Sequence, residues 1–158
     1  MRLIPRTFML SWITFVICGL PLSAQTGFDA SRAFSYLETQ CDFGTREPNS
    51  KGAEMAVNYF TDLLQPLADT LHLQTFEMND PYGAGKLTLT NIVARFQPEK
   101  EQRIILCAHW DTRPRAEYDG RSPTTPMLGA NDGASGVAIL LEIAQQLHNN
   151  PINPGIDI

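Results

Sequence analysis

The sequence has few cysteines, few histidines and no excess of positive charge, and each scarcity excludes a class of protein. Three cysteines in 158 residues are too few for a small scaffold held together by disulfides. With 12 basic against 17 acidic residues, the formal net charge is −5, which argues against nucleic acid as a partner. There is no internal repeat, and 43% apolar with 18% charged residues is typical of globular proteins. We therefore expect one α/β domain of ordinary size.

A long hydrophobic run is also missing, because the longest apolar stretch, residues 8–20, is shorter than the roughly 20 residues of a membrane-spanning helix. Two arginines precede this stretch, and a proline and small residues follow it up to Ala24. This order is typical of a secretory signal peptide. We expect residues 1–24 to be removed and residues 25–158 to be exported, to the periplasm or outside the cell, without stable membrane insertion. Cleavage removes two arginines and no acid, so the net charge becomes −7.

Hydrophobic spacing divides the rest of the sequence into helices and strands. Apolar residues that recur every three to four positions predict helices over residues 28–39, from Ser50 to about Pro66, and over residues 133–148. Alternation and short apolar runs predict strands over residues 71–76, 87–96 and 104–108, with a further strand starting within 154–158. The run 104–108, which contains Cys107, is expected to be covered on both faces. Asp29 or Ser31 would cap the first helix, and Ser50 the second.

A histidine and an aspartate stand where α/β proteins present metal ligands. His109 directly follows the apolar strand 104–108, and Asp132 ends the next loop just before a helix. In a sheet of mainly parallel strands both positions fall beyond the carboxyl ends of the strands, at the same edge. Imidazole nitrogen and carboxylate oxygen are ligands of zinc, and a catalytic zinc keeps one position open. His109 and Asp132 are therefore candidate metal ligands.

Asp111 has a different predicted role. Residues 109 and 111 project to the same side if the strand continues, so Asp111 can accept a hydrogen bond from the imidazole and fix the tautomer of His109. Each part of the pattern also has a simpler explanation, namely a surface histidine beside an acid and a helix cap at Asp132. A metal site is favoured only because His109 at the end of a strand is combined with Asp132 at the start of a helix. Glycines 129, 133 and 136 would allow tight turns and close packing around it.

At this point the sequence resembles a known superfamily. The segments Ile-Leu-Cys-Ala-His-Trp-Asp-Thr-Arg-Pro (105–114) and Leu-Gly-Ala-Asn-Asp-Gly-Ala-Ser-Gly-Val-Ala (128–138) resemble the zinc aminopeptidase and glutaminyl cyclase superfamily. They are most similar to the bacterial glutaminyl-peptide cyclotransferases. The upstream segments Phe-Gly-Thr-Arg-Glu-Pro-Asn-Ser-Lys-Gly-Ala and Leu-Thr-Asn-Ile-Val-Ala are also similar. The resemblance implies an α/β fold with a mixed, mostly parallel central sheet flanked by helices, the phosphorylase/hydrolase-like fold of the zinc peptidases. Residues 25–158 would be the amino-terminal part of that single catalytic domain.

The resemblance also implies roles for the candidate ligands. In the di-zinc peptidases the match of His109 binds one zinc and the match of Asp132 bridges both. In the cyclases the match of Asp132 holds a single zinc, and His109 lies beside it. The general-base glutamate and the remaining ligands match segments beyond Ile158, so the general base is not in this chain. Peptidases usually follow the bridging aspartate with a second acid, whereas this sequence has Gly133, which favours the cyclases.

We therefore expect an enzyme that converts the amino-terminal glutamine of peptides or proteins to pyroglutamate with loss of ammonia, using one zinc. Zinc would polarise the γ-carbonyl while a glutamate takes a proton from the α-amine. The first alternative is a di-zinc aminopeptidase that hydrolyses amino-terminal residues, and the second is a non-catalytic binding module with the same fold. The 158 residues by themselves are expected to be inactive.

Overall fold

The computed structural model describes residues 27–81, 83 and 85–158. The expected signal peptide, residues 1–24, lies outside these residues. The helices are α1 (Ala30–Asp42), α2 (Lys51–Leu64) and α3 (Ser135–Asn149), and an irregular turn, Ala130–Ala134, leads into α3. The strands are β1 (Thr70–Asn79), β2 (Lys86–Phe96), β3 (Arg103–Ile105) and β4 (Gly155–Asp157). In the part of the chain covered by these ranges, no helix is long and apolar enough to cross a membrane.

The four strands form one mixed sheet in the order β1-β2-β4-β3. β1 and β2 are antiparallel, β2 and β4 are antiparallel, and β3 and β4 are parallel. The predicted α/β fold with a mixed sheet flanked by helices is confirmed. A mostly parallel sheet is wrong for the described strands, because the short turn between β1 and β2 permits only an antiparallel pair. The parallel pair is the one connected through a helix, α3.

Short polar residues begin two of the helices, as the sequence predicts. The Asp29 side chain accepts a hydrogen bond from the backbone N–H of Arg32, and the Ser50 side chain accepts one from Ala53. These bonds satisfy N–H groups that have no partner inside the helix. α1 extends beyond its predicted end to Asp42, and the side chain of Phe34 on this helix is 59% exposed.

The core lies between α2, α3 and the sheet. Its larger members are Tyr36, Phe60, Leu64, Phe96, Val137, Leu141, Leu147 and Ile156. Each large apolar side chain that is fully removed from water contributes about 1.5–3 kcal/mol. α3 supplies buried residues along most of its length. The packing of α3 therefore fixes the position of its amino-terminal end, where Asp132 lies.

β3 is shorter and more exposed than predicted. Its pairing with β4 covers Arg103 to Ile105, and the side chains of Ile104 and Ile105 are 47% and 72% exposed. Cys107 is exposed as well. The expectation that residues 104–108 are covered on both faces is therefore wrong, because none of the described elements packs over this side of β3.

An exposed loop, residues 113–128, separates the exit of β3 from the turn that enters α3. An antiparallel bridge joins Arg115 to Pro126 across the base of this loop. The backbone N–H of Ala116 donates to the carbonyl of Thr125 at 2.9 Å, close to that bridge. The loop thus leaves and returns at nearly the same place, so its two ends, which carry the candidate ligands, are neighbours.

Candidate metal centre

The fold brings the three predicted site residues together at one edge of the sheet. The Nε2 atom of His109 lies 3.0 Å from Oδ1 of Asp132, although 23 residues separate them in sequence. Asp111 lies on the other side of the imidazole ring. The backbone carbonyl oxygen of Asp111 is 3.2 Å from Nδ1 of His109, and its carboxylate Oδ1 is 3.5 Å away. The nearer partner of the ring is therefore the carbonyl of Asp111, while the sequence suggested its carboxylate.

The backbone around Asp132 is irregular, and glycines make this geometry possible. Gly129 has φ +60° and Gly133 has φ +106°, in the left-handed region that side chains disfavour. A Cβ atom on Gly133 would lie 3.2 Å from the carbonyl oxygen of Asp111 and 3.4 Å from Cε1 of His109. The chain therefore reverses tightly at Asp132 and presses its backbone against the His109 ring. Gly136 lies similarly close to Ala108, where a Cβ would be 3.0 Å from the alanine Cβ.

The hydrogen-bond partners of the His109 ring are compatible with a bound cation. A backbone carbonyl only accepts, so a hydrogen bond between His109 and the Asp111 carbonyl requires the proton on Nδ1. A neutral imidazole has a single N–H, which leaves a lone pair on Nε2. That lone pair faces Oδ1 of Asp132, which is also an acceptor when ionised. Two acceptors facing each other at this distance need a proton or a metal ion between or beside them.

The separation of the two atoms also fits a metal. A tetrahedral zinc bonded at about 2.1 Å to a nitrogen and an oxygen holds these ligand atoms about 3.4 Å apart. The observed 3.0 Å between Nε2 of His109 and Oδ1 of Asp132 is close to this value. Their side chains are open to incoming groups, with 56% and 70% of their areas exposed. The donor types and the spacing therefore fit part of a zinc site.

The site is incomplete within the described part of the chain. No group of three or more histidine, cysteine, aspartate or glutamate residues among residues 27–81, 83 and 85–158 could hold a metal ion. A catalytic zinc takes about three protein ligands. His109 and Asp132 would thus supply part of the coordination, and further ligands would have to come from elsewhere.

The other two histidines are not brought to this site. His72 lies on β1, where it is exposed and pairs across the sheet with Val93. His148 lies in the last turn of α3, and its Nδ1 is 3.0 Å from the carbonyl oxygen of Leu67. α3 rises about 1.5 Å per residue, so His148 is roughly 20 Å from Asp132 along the helix axis. Neither histidine can act at the centre defined by His109 and Asp132.

A small hollow adjoins the site. It has a volume of about 220 Å³ and is lined by Pro48, Phe76, Thr88, Leu89, Thr90, Asn91, His109, Trp110 and Asp111. A larger apolar groove of about 380 Å³ lies between β2, the segment 105–108 and α3, and none of the three site residues lines it. His109 and Asp111 line the small hollow, whereas Asp132 does not.

Arg46 is the residue near the site that sequence reasoning missed. Its side chain is fully buried, and its guanidinium donates to the backbone carbonyls of Trp110, which directly follows His109, and of Leu128, four residues before Asp132. Its own backbone N–H donates to Oγ1 of Thr112 at 2.8 Å. The segment 41–50 looks like an ordinary polar loop, where an arginine is expected in solvent. A buried arginine has no local signature, so the sequence pattern could not reveal it.

Comparison with known proteins gives consistent results. Residues 91–158 match peptidase family M28. The structure is similar to the crystal structure of Tannerella forsythia glutaminyl cyclase, with 40% identity and a TM-score of 0.78 over 83% of this chain and 45% of that one. It is equally similar to a leucine aminopeptidase precursor from Bacteroides thetaiotaomicron, with 41% identity and a TM-score of 0.78 over 83% of this chain and 46% of that one.

A curated relative is more distant. The glutaminyl-peptide cyclotransferase of Bos taurus is 31% identical over 104 residues, which cover 65% of this chain and 27% of the relative. The chain thus spans less than half the length of each protein compared here.

Proposed function

We propose that this chain, which belongs to the superfamily of the zinc aminopeptidases and glutaminyl cyclases, provides part of the active site of a zinc-dependent glutaminyl-peptide cyclotransferase. The substrates would be peptides or proteins with glutamine at the amino terminus, which would be converted to pyroglutamate with release of ammonia. The remaining ligands and the general base would lie in sequence that follows Ile158. The similar proteins include both glutaminyl cyclases and exopeptidases, so only the site itself can favour one branch.

The observation that favours the cyclase is the conformation of Gly133. The resemblance to the di-zinc peptidases implies an acid directly after the bridging aspartate. In this chain that position has φ +106°, and a Cβ there would lie 3.2 Å from the Asp111 carbonyl oxygen and 3.4 Å from the His109 ring. An aspartate or glutamate side chain would be strained in this backbone and would crowd the histidine. The second acid of the di-zinc peptidases therefore has no counterpart at this position, and this backbone does not favour one.

In this proposal each of the three residues has a distinct task. Asp132 would hold the zinc through a carboxylate oxygen. His109 lies beside that carboxylate, with Nε2 3.0 Å from its Oδ1 and Nδ1 3.2 Å from the Asp111 carbonyl oxygen. Asp111 keeps a second negative charge beside the ring, which can attract the positive α-amine of a substrate. Zinc, when bound, would supply a Lewis acid that polarises the γ-carbonyl of the glutamine.

The decisive experiment compares two reactions of the complete protein. We expect ammonia release from a peptide with amino-terminal glutamine and no leucine release from a peptide with amino-terminal leucine. Asp132→Asn keeps the size of the side chain but removes its charge, and should lower both zinc content and ammonia release at least about tenfold. Asp119→Asn, in the exposed loop, is the matched control and should change neither. Leucine release with two zinc ions per chain would overturn the cyclase proposal.

The second candidate is a di-zinc aminopeptidase, and the His109 geometry is the observation in its favour. Nε2 of His109 carries the free lone pair and lies at about the distance expected for two ligands of one metal. In that enzyme His109 would bind a metal itself. His109→Ala would then remove one of two zinc ions and all activity. In the cyclase the same substitution should leave the single zinc bound.

Export is the last part of the proposal. Residues 1–24 have the composition of a signal peptide, and the substrates would then be peptides outside the cytoplasm. The exported protein should begin at Gln25, which amino-terminal sequencing of protein from the cell envelope or the medium would detect. A protein recovered only from the cytoplasm and still starting at Met1 would refute export.

A further inference from the structure

Arg46 is a buried cation without a carboxylate beside it. Its side chain is 0% exposed, and no ion pair of Arg46 is present among the described residues. Burial lowers the pKa of its guanidinium, because the charged group loses its hydration. An arginine nevertheless keeps its proton in proteins. A buried charge of this kind is expensive unless all of its N–H groups find acceptors.

The acceptors of the Arg46 side chain are backbone carbonyls from separate segments. Nη1 donates to Gln40 at 2.7 Å, to Leu128 at 2.9 Å and, at a longer 3.5 Å, to Gly44. Nε donates to the carbonyl of Trp110 at 2.9 Å, and Nη2 to that of Gly129 at 3.3 Å. One guanidinium thus connects four segments: the end of α1, the loop after α1, the segment that follows β3 and the turn before α3.

Two of these segments carry the proposed ligands. Trp110 directly follows His109, and Gly129 lies three residues before Asp132. Arg46 also fixes Thr112 through a backbone bond to its hydroxyl, and the N–H of Thr112 returns to the Arg46 carbonyl at 3.4 Å. The separation of the two ligand segments is therefore set by one rigid group. A lysine cannot do the same, because its ammonium is a single point rather than a planar fork with five N–H donors.

The arrangement is also closely packed. A Cβ on Gly129 would lie 3.3 Å from Nη2 of Arg46 and 2.6 Å from the carbonyl oxygen of Asp132. Gln40 adds a connection of its own, since its fully buried side chain donates from Nε2 to the carbonyl of Ala134 at 3.2 Å. The turn that presents Asp132 is thus held from the protein interior by Arg46 and Gln40.

We propose that Arg46 is the positioning residue of the metal centre: its guanidinium holds the His109 and Asp132 segments at the separation that places the imidazole beside the metal-binding carboxylate. The role rests on the proposed function insofar as a metal binds there. The positioning itself, however, is a property of the folded chain and can be measured without a metal.

The test uses three variants of the chain. Arg46→Met keeps the aliphatic stem and removes every donor, while Arg46→Lys keeps the charge and some donors. The control is Arg103→Met, because Arg103 binds the carbonyls of Gln97 and Ile156 and the carboxylate of Asp157, away from the site. Both methionine variants therefore lose a carbonyl-binding arginine, but only Arg46→Met loses one that contacts the ligand segments.

Amide hydrogen exchange without metal is the first measurement. Global unfolding alone predicts a certain rise in the exchange rates of Arg46→Met. The amides of Thr112 and Ala134 should exchange at least about tenfold faster than that, because their segments open locally. Arg103→Met should instead accelerate exchange at Leu106 and Gly155, whose N–H groups bond across β3 and β4. Equal acceleration at the site in both variants, or none beyond global unfolding in Arg46→Met, would overturn the proposal.

Zinc binding by the complete protein, followed through the ¹⁵N resonances of His109, is the second measurement. Arg46→Met should weaken zinc binding at least about tenfold, Arg103→Met less than twofold, and Arg46→Lys should fall between them. If Arg46→Met does not fold, Arg46→Lys decides the question against the same control. If the unaltered complete protein binds no zinc, the proposed metal site fails. The exchange measurement still decides whether Arg46 positions the two segments.

Discussion

At the scale of single residues, Gly129 and Gly44 illustrate two different reasons for a glycine. Both have positive φ, +60° at Gly129 and +78° at Gly44. Nothing lies within 4 Å of a Cβ built on Gly44, whereas a Cβ on Gly129 would lie 2.5 Å from Cγ2 of Thr112 and 2.6 Å from the Asp132 carbonyl oxygen. Gly44 is thus required only by its backbone angle, while Gly129 is required also by the contact with the site.

Substituting each glycine by alanine should reveal this difference. Gly44→Ala should lower the free energy of unfolding by about 1 kcal/mol, the cost of a left-handed alanine. Gly129→Ala should cost about 3 kcal/mol or more, because the turn carrying Asp132 has to shift as well. Urea unfolding of both variants measures the two values. Equal losses would mean that the packing around Gly129 relaxes freely and does not constrain the site.

At this scale, some features of the site could be predicted from the sequence and others could not. His109 and Asp132 could be paired from the sequence because a strand exit and a helix entry lead to the same sheet edge. The partner of Nδ1 could not be predicted, since the choice between the carbonyl and the carboxylate of Asp111 depends on side-chain rotation. The burial of Arg46 depends on segments as distant as Leu128, so no local pattern contains it.

At the scale of elements, α1 is fastened to α3 by a buried carboxylate. Oε2 of Glu142 accepts from Nε of Arg32 at 2.7 Å, and Oε1 accepts from the backbone N–H of Asp29 at 3.0 Å. Burial alone would raise the pKa of Glu142, but the hydrogen bonds from Arg32, Asp29 and Gln146 outweigh it and hold the pKa below its ordinary value. The ionised form of Glu142 therefore stabilises the folded chain.

The sign of the pH effect follows from the lowered pKa. The stabilisation by Glu142 is present above the ordinary carboxyl value of 4.5 and is lost as the pH falls through the lower folded value. Glu142→Gln should be less stable at neutral pH by about 1–3 kcal/mol, and should lose less additional stability on acidification. Urea unfolding midpoints at neutral pH and below about pH 4 measure both effects.

Two other acids serve to interpret that experiment. The hydrogen bond from Arg103 lowers the pKa of Asp157, so Asp157 also contributes stability that is lost on acidification. This contribution remains in Glu142→Gln. Glu54, paired with Lys51 on the surface of α2, is the matched control, and Glu54→Gln should change stability little because exposed ion pairs contribute little. A Glu142→Gln variant with the acid dependence of the unaltered chain would contradict the assignment.

The elements themselves were predictable where their determinants are local. The starts of α1 and α2 follow from Asp29 and Ser50, whose side chains bind N–H groups of the first turn. The length of β3 was not predictable, since it depends on how far β4 runs beside it. The direction of β1 relative to β2 could have been inferred from the short connection between them.

At the scale of the whole molecule, the free edge of the sheet is the least protected surface. β3 ends the strand order, and Ile104 and Ile105 are exposed there. An apolar strand with unpaired backbone groups is a site for association with another chain. The apolar groove of about 380 Å³ next to it adds to this surface.

We expect the isolated chain to self-associate through this edge. Ile105→Lys places a charge on the exposed edge and should shift sedimentation velocity profiles toward the monomer. Ile152→Lys is the matched control, because Ile152 is 49% exposed but lies in the loop after α3 rather than on a strand. If both lysine variants, or neither, become more monomeric, association does not depend on the edge of β3.

The loop 113–128 has a consequence for how members of such a superfamily can diverge. Its base is closed by the bridge between Arg115 and Pro126, and the ligand segments on either side are held from beneath by Arg46. The entropic cost of closing a loop rises slowly, by about 0.6 kcal/mol for each doubling of its length. Insertions near Gly120 can therefore lengthen the rim of the site while His109 and Asp132 keep their places.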